Sequence, residues 1–516
     1  MIWDLDTLLL VDPRLITASK GCSFVREEAF KHPEPIIGQE QPELLLNGKA
    51  LAPHYICILF VENGIFRLWY RLCLEPIGSK SFEAGQRIAY AESTDGYHFK
   101  PVRVGDVEFN GNCDNNLLHF PVPDGMPLKL SGFLHDPLDA EYPFKCLYYR
   151  AGKPEEMEPG QLARHPWKRH SRNCSFIWGI GRSRDGFAWE QPRHAHTLVP
   201  FSLEHARLHR AMDGGFVIAD QGAPNFGPCT DMGWQWENRN VSGWVTYDEE
   251  TAYPIPGYCF QLPDHMTRTG ALYQWPSMEH MQWVQPHIGL VVARKGPTMI
   301  GLNGYLHNAT AVETFAQTAE VGLCVSDTGV VFREVWPFSP FVPRSPRGHW
   351  DHGLICQNTI CETGTKTFFH YLATDTGNMA GDTMRIGVAW VDRDRYGYAM
   401  IAGHRHMTPE PMRAELTLRT TTLPDAASLH LNADSLAHGR RILVELADTT
   451  GVAIAGFGFG DCMPVTENGL RIPLRWKNAD ARNLAGRDVA IRLRMESDSC
   501  GLVRFDSPRV YAVMLR

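Results

Sequence analysis

One short unit recurs along this chain and constrains its fold more than any other feature. Residues 93–99 read Ser-Thr-Asp-Gly-Tyr-His-Phe, residues 183–189 read Ser-Arg-Asp-Gly-Phe-Ala-Trp, and residues 326–332 read Ser-Asp-Thr-Gly-Val-Val-Phe. The shared pattern, Ser-x-(Asp/Thr)-Gly-x-x-aromatic, is that of a hairpin turn. Ser and Asp side chains cap backbone N–H groups, Gly accepts positive φ, and the aromatic returns to the sheet. Each copy follows a strand rich in small residues: Ile88-Ala89-Tyr90-Ala91, Trp178-Gly179-Ile180-Gly181 and Val321-Gly322-Leu323-Cys324. A strand and its turn repeated together mark a unit that cannot bury its own faces and must stack on its neighbours.

The copies begin at 93, 183 and 326, so the second gap leaves room for two units. A degenerate turn near Val241-Ser242-Gly243-Trp244 fits that gap. A fifth unit runs from Ile386-Gly387-Val388-Ala389-Trp390 to about Arg395-Tyr396-Gly397. The chain is punctuated by 46 Gly and 35 Pro, which bound short apolar runs such as Ile56 to Val61, Phe66 to Leu72, Phe144 to Tyr149 and Lys366 to Leu372. Runs of this length read as strands. The expectation is an all-β chain with a five-bladed β-propeller over residues 1–405. Alternating runs at 415–418, 441–446, 469–474 and 489–494 predict a C-terminal β-sandwich over residues 411–516, joined through Pro409 and Pro411.

A net charge of −8 and a pI near 6.3 argue against nucleic acid and anionic membrane as partners, since both need basic surface. No run approaches the ~18 apolar residues of a membrane span. The 13 cysteines are odd in number and scattered, with no Cys-x-x-Cys pair. They read as reduced, buried thiols. The start, Met1-Ile2-Trp3-Asp4-Leu5-Asp6, lacks the basic opening and long apolar run of a secretory signal, so the expected location is cytoplasmic. Oligomeric state is not readable.

Several segments resemble the five-bladed propeller glycosidases, the broad group of invertase, levansucrase and arabinanase relatives. They are Phe66-Arg67-Leu68-Trp69-Tyr70, Tyr90-Ala91-Glu92-Ser93-Thr94-Asp95-Gly96, Gly348-His349-Trp350-Asp351-His352-Gly353 and Ile386-Gly387-Val388-Ala389. The tail, through Asn432-Ala433-Asp434 and Gly456-Phe457 with Asp461-Cys462, resembles the β-sandwich of the invertase-like branch. The invertase relatives' Asn-Asp-Pro-Asn-Gly motif is absent, Val11-Asp12-Pro13-Arg14 being nearest. His135-Asp136-Pro137 stands where they carry Arg-Asp-Pro, and no Glu-Cys acid motif occurs. No catalytic triad therefore transfers. The resemblance implies a carbohydrate substrate and no cofactor. It admits a structural calcium in the central channel, but the sequence offers no metal-ligand set for one.

A propeller's innermost strands converge on its axis, and glycoside hydrolysis needs two carboxyl groups across one pocket. Acids just before an inner strand are therefore the candidates: Asp114, Glu204, Glu279 and Asp351. Glu279 or Glu204 would protonate the leaving oxygen, and Asp351 or Asp114 would act as base or nucleophile. Trp275 and Trp350 could stack on a sugar, and Asn116 and Asp136 could bind its hydroxyls. His54 stands where many relatives carry an Asp, as a polar ligand-binding residue. The same residues equally serve structure: Asp351 and Asp136 as turn caps, Trp350 as a core ring, Glu204 in a solvated charged loop. Two other readings stay open. A glycoside phosphorylase would use a cationic cluster, Arg207/Arg210 or Arg344/Arg347, and a non-catalytic propeller would only bind carbohydrate.

Overall fold

A computed structural model describes residues 2–38, 52–73, 86–105, 107–109, 111–120, 128–151, 176–190, 196–198, 206–222, 240–249, 251–255, 260–261, 284–307, 318–336, 339–375, 384–402, 412–425, 428–498 and 507–516. Among these the chain is all-β, with 3-10 turns but no α-helix.

Five groups of antiparallel strands follow one another in sequence, the last two joined into one ten-stranded sheet by a parallel bridge from Ala319 to Leu354, and each group is called a blade below. Blade 1 is built on Ala52–Glu62, Ile65–Cys73 and Gln86–Ser93. Blade 2 is built on Leu128–His135, Phe144–Ala151 and Phe176–Ser183. Blade 3 consists of Arg207–Arg210, Phe216–Gly222, Asn240–Thr246 and Tyr253–Pro254. Blade 4 is built on Val284–Lys295, Thr298–His307, Thr318–Ser326 and Phe332–Glu334. Blade 5 consists of Leu354–Glu362, Lys366–Thr374 and Arg385–Asp392, and its outer strand, Phe30–Lys31, comes from the N-terminal segment. The first strand of each blade contacts that of the next, and blade 5 returns to blade 1, so the sheets close into a ring. Apolar clusters fill the wedges between neighbouring blades.

The repeated turn fastens these junctions. Gly96, Gly186 and Gly329 have φ of +82°, +82° and +80°, and each N–H donates back to the Oγ of Ser93, Ser183 or Ser326. Each glycine carbonyl then accepts from a ring on the preceding blade. His370 Nε2 reaches Gly96 at 3.0 Å, Trp69 Nε1 reaches Gly186 at 3.0 Å, and His209 Nε2 reaches Gly329 at 2.6 Å. No side chain fits here: a Cβ on Gly96 or Gly186 would lie 2.8 Å from the Phe66 or Trp69 ring.

Blades 3 and 5 lack the glycine and use an acid instead. Lys145 of blade 2 lies 3.6 Å from Glu249, in the turn after the third strand of blade 3. Lys295 of blade 4 lies 2.7 Å from Asp394, at the same place in blade 5. Both lysine side chains are fully buried. The degenerate turn expected at Val241–Trp244 is thus corrected: those residues lie inside the strand Asn240–Thr246, and the turn follows it.

Two further sheets enclose a single apolar core that includes Leu416, Leu431, Val444, Ile491 and Val513. The strand pairings cross the division expected between 405 and 411. Thr7–Leu9, Cys22–Arg26 and Gly397–Ile401 join one sheet, and Ile16–Lys20 pairs with Met412–Leu418 in the other. The N-terminal segment therefore serves both units, supplying strands to the C-terminal sheets and then the outer strand of blade 5.

Candidate functional site

The third strands all end in turns that meet the preceding blade at one end of the ring. First and third strands of a blade are parallel, so the five first strands run in one direction and begin together at the opposite end. Their middles line an axial cavity of about 60 Å³. Its wall comprises Cys57 to Leu59, Phe133 to His135, Arg207 to His209, Leu290 to Val292, and Thr359 with Ile360. Pairing between first and second strands shifts register between Ile56 and Ile58, Ser131 and Phe133, Ile288 and Val291, and Cys356 and Thr359. Such bulges bend a strand and re-aim its side chains, here in four blades at the level of the cavity.

The wall is cationic and neutral. Arg207 of blade 3 reaches across to blade 1, its Nη1 donating to the Ile56 carbonyl at 3.2 Å. Arg71, on the second strand of blade 1, donates to the Leu130 carbonyl of blade 2. Burial pushes the Cys57 thiol up to about 12, an effect that Arg71 and Arg207 oppose. Burial also pushes the imidazoles down, His135 to about 3 and His209 to about 4. The carbonyl of Gly329 can only accept, so Nε2 of His209 carries the proton and Nδ1 holds a lone pair. Among the described residues no carboxylate lines this cavity. Burial pushes the Glu334 carboxyl up to about 8, but it lies on the fourth strand of blade 4, away from the cavity wall.

The expected site residues fall into two groups. Glu204, Trp275 and Glu279 lie outside the described residues, as does the side chain of His54, whose backbone belongs to the first strand of blade 1. The others have local partners. Asp114 is exposed and sits 3.1 Å from Arg103. The Asn116 amide is buried and donates to the Tyr90 carbonyl at 2.9 Å and the Tyr70 hydroxyl at 3.2 Å. Asp136 is fully buried at the turn end of the ring, opposite the strand starts, where it pairs with Arg210 and caps Leu138. Trp350 stacks on Tyr371 with centroids 6.0 Å apart and donates to the Pro33 carbonyl.

Asp351 is 2% exposed. One oxygen accepts from Lys31 Nζ at 2.6 Å and from the Tyr371 hydroxyl at 3.1 Å, and the other has no partner. Lys31 also donates to the Pro343 carbonyl and to Ser345, so Asp351 and Trp350 anchor the outer strand and N-terminal segment onto blade 5. The arginine clusters separate in a similar way. Arg207 faces the cavity while Arg210 is tied to Asp136, and Arg344 donates to the His352 carbonyl. Arg71 escaped sequence reasoning, although a charged residue inside the apolar run Phe66 to Leu72 was the available signal.

Neither a family model nor a curated protein matches the chain. Among solved structures, one titled "Glycoside hydrolase" is 10% identical, with a TM-score of 0.39, over 71% of this chain and 92% of that one. A glycosyl hydrolase from Bacteroides ovatus is 14% identical, with a TM-score of 0.38, over 72% and 96%. A family 43 arabinoxylan arabinofuranohydrolase from Bacillus subtilis, in complex with cellotetraose, is 11% identical, with a TM-score of 0.34, over 90% and 95%. At identities and TM-scores this low the likeness carries no argument about this chain, and the activities named belong to those proteins.

Proposed function

We propose that this chain is a glycoside hydrolase that removes a small or terminal sugar unit where the first strands begin. The observation that carries the reading is the convergence of five first strands on one axial cavity. The first strands therefore begin at a common mouth, and cleavage of a glycosidic bond requires two carboxyl groups across such a mouth. Glu204 precedes the strand Arg207–Arg210 by three residues, and Glu279 precedes Val284–Lys295 by five. Asp114 and Asp351 are engaged by Arg103 and Lys31 away from the axis, which favours Glu204 and Glu279 as the pair. One protonates the leaving oxygen and the other acts as base or nucleophile. His54 and Trp275 would bind the sugar.

Glu204→Gln and Glu279→Gln test the assignment. Each is expected to lower kcat/KM about 10²–10⁴-fold on glycosides with poor leaving groups, with the melting temperature retained. Undiminished turnover in both variants overturns the assignment.

A further inference from the structure

At the seam between blades 5 and 1, on the turn end of the ring, lies a second cluster that the proposed chemistry does not use. Phe30, on the outer strand of blade 5, is 66% exposed. Its ring stacks on Trp390 of the neighbouring strand, with centroids 6.3 Å apart and planes 26° apart. Tyr97, from the repeated turn of blade 1, meets Trp390 at 5.5 Å and 85°. His32 lies 5.4 Å from Tyr97. Lys366 places its ammonium 4.7 Å from the Trp390 centroid and 3.3 Å from the Tyr97 hydroxyl.

Two features of this cluster point to a ligand. Phe30 is a large apolar ring with most of its surface in water, although it pairs through its backbone at the sheet edge. The Lys366 ammonium rests among the rings of Trp390, Tyr97 and Phe368, and no described carboxylate pairs with it. The other buried or half-buried lysines that hold blades together, Lys31, Lys145 and Lys295, each meet an acid. A cation held by aromatic faces keeps its charge available to an incoming anion. Open aromatic faces beside hydrogen-bond donors suit a ring whose C–H face stacks while its edge carries oxygen.

We propose that this seam is a surface binding site for a saccharide bearing carboxylates, a uronic-acid chain. A sugar ring stacks on Phe30, its carboxylate meets Lys366 Nζ, and its hydroxyls engage Tyr97 and His32. This site is separate from the axial mouth, and binding there does not depend on turnover. Its test therefore stands or falls apart from the hydrolase reading.

Calorimetric titration of the full chain with an oligogalacturonide provides that test, with a neutral xylo-oligosaccharide of equal length as the comparison. Binding of the acidic chain should weaken with added salt. It should weaken about tenfold or more in Phe30→Ala and in Lys366→Met, which keeps the apolar stem over Trp390. Absence of oligogalacturonide binding overturns the proposal, as does equal binding in both variants. Equally tight binding of the neutral chain, unchanged in Lys366→Met, overturns the anionic ligand. Dimers in sedimentation that Phe30→Ala dissociates would assign the seam to a second copy instead.

Discussion

Three junctions of the ring are closed by a ring N–H donating to a glycine carbonyl, from His370, Trp69 and His209. The other two are closed by a buried lysine against carboxylates, Lys145 with Asp139 and Glu249, and Lys295 with Glu362, Asp394 and Asp4. All five lie at the same end of the ring and do the same geometric work. They differ in what is left behind when a partner is lost. A neutral link costs one hydrogen bond, whereas removal of a buried lysine leaves several acids sharing fewer cations, Glu249 with Arg182, Glu362 and Asp394 with Arg393, and Asp4 with Arg516. Burial pulls the Lys295 ammonium down, and Glu362, Asp394 and Asp4 outweigh this and hold it above its ordinary value.

The contrast breaks most visibly at Lys295. Lys295→Met should lower unfolding free energy by about 3–5 kcal/mol at neutral pH in urea. A loss below about 1 kcal/mol would show that the link is not ionic in effect.

The next effect is one of pH. Burial pushes His370 and His209 down to about 4. A base whose folded pKa is depressed is protonated first in the unfolded chain, so stability falls as pH drops from about 6.5 to about 4. Each ring contributes on the order of 3 kcal/mol by the lower end of that window. Burial raises Asp139, but hydrogen bonding to Lys145 outweighs it and holds the carboxyl below the usual carboxylate range. Its contribution is intact above the unfolded value near 3.8 and fades only as pH falls through the lower folded value, so this link, which ties Lys145 within blade 2, outlasts the imidazole links on acidification. Denaturation curves at pH 7 and 4 should show His370→Gln losing less stability on acidification than the parent chain. An equal loss would remove His370 from the account.

How much of this was legible follows from which forces are local. The turns at Ser93, Ser183 and Ser326 were readable because their own residues cap them. Their partners Trp69, His370 and His209 were not, since each belongs to another blade and looks like an ordinary core residue. The blade 3 turn reads too early in the sequence because Ser242-Gly243 mimics the repeated unit, whereas Glu249 carries no turn signature without Lys145 beside it. The division near residue 405 missed the N-terminal strands for a related reason: Ile16–Lys20 pairs with residues some 400 positions away in sequence. Asp351 looked like a rim acid because Gly-His-Trp-Asp-His-Gly precedes a first strand. Its actual partner, Lys31, arrives from the N-terminal segment.

A smaller effect sharpens the comparison within the neutral class. Gly186→Ala forces a Cβ against Trp69 at a φ of +82° and should cost about 1–3 kcal/mol, measured as a drop in melting temperature. The same change at Gly364, where a Cβ meets nothing within 4 Å and no positive φ is required, should be close to neutral.

The hydrolase reading meets its most direct test in proton NMR of the full chain with a panel of short neutral glycosides, in phosphate-free buffer and with added phosphate. The account predicts free reducing sugar in both buffers at the same rate. Release only with phosphate, as a sugar phosphate, would contradict it in favour of a phosphorylase. Line broadening of the glycosides with no release would contradict it in favour of a propeller that binds without turnover.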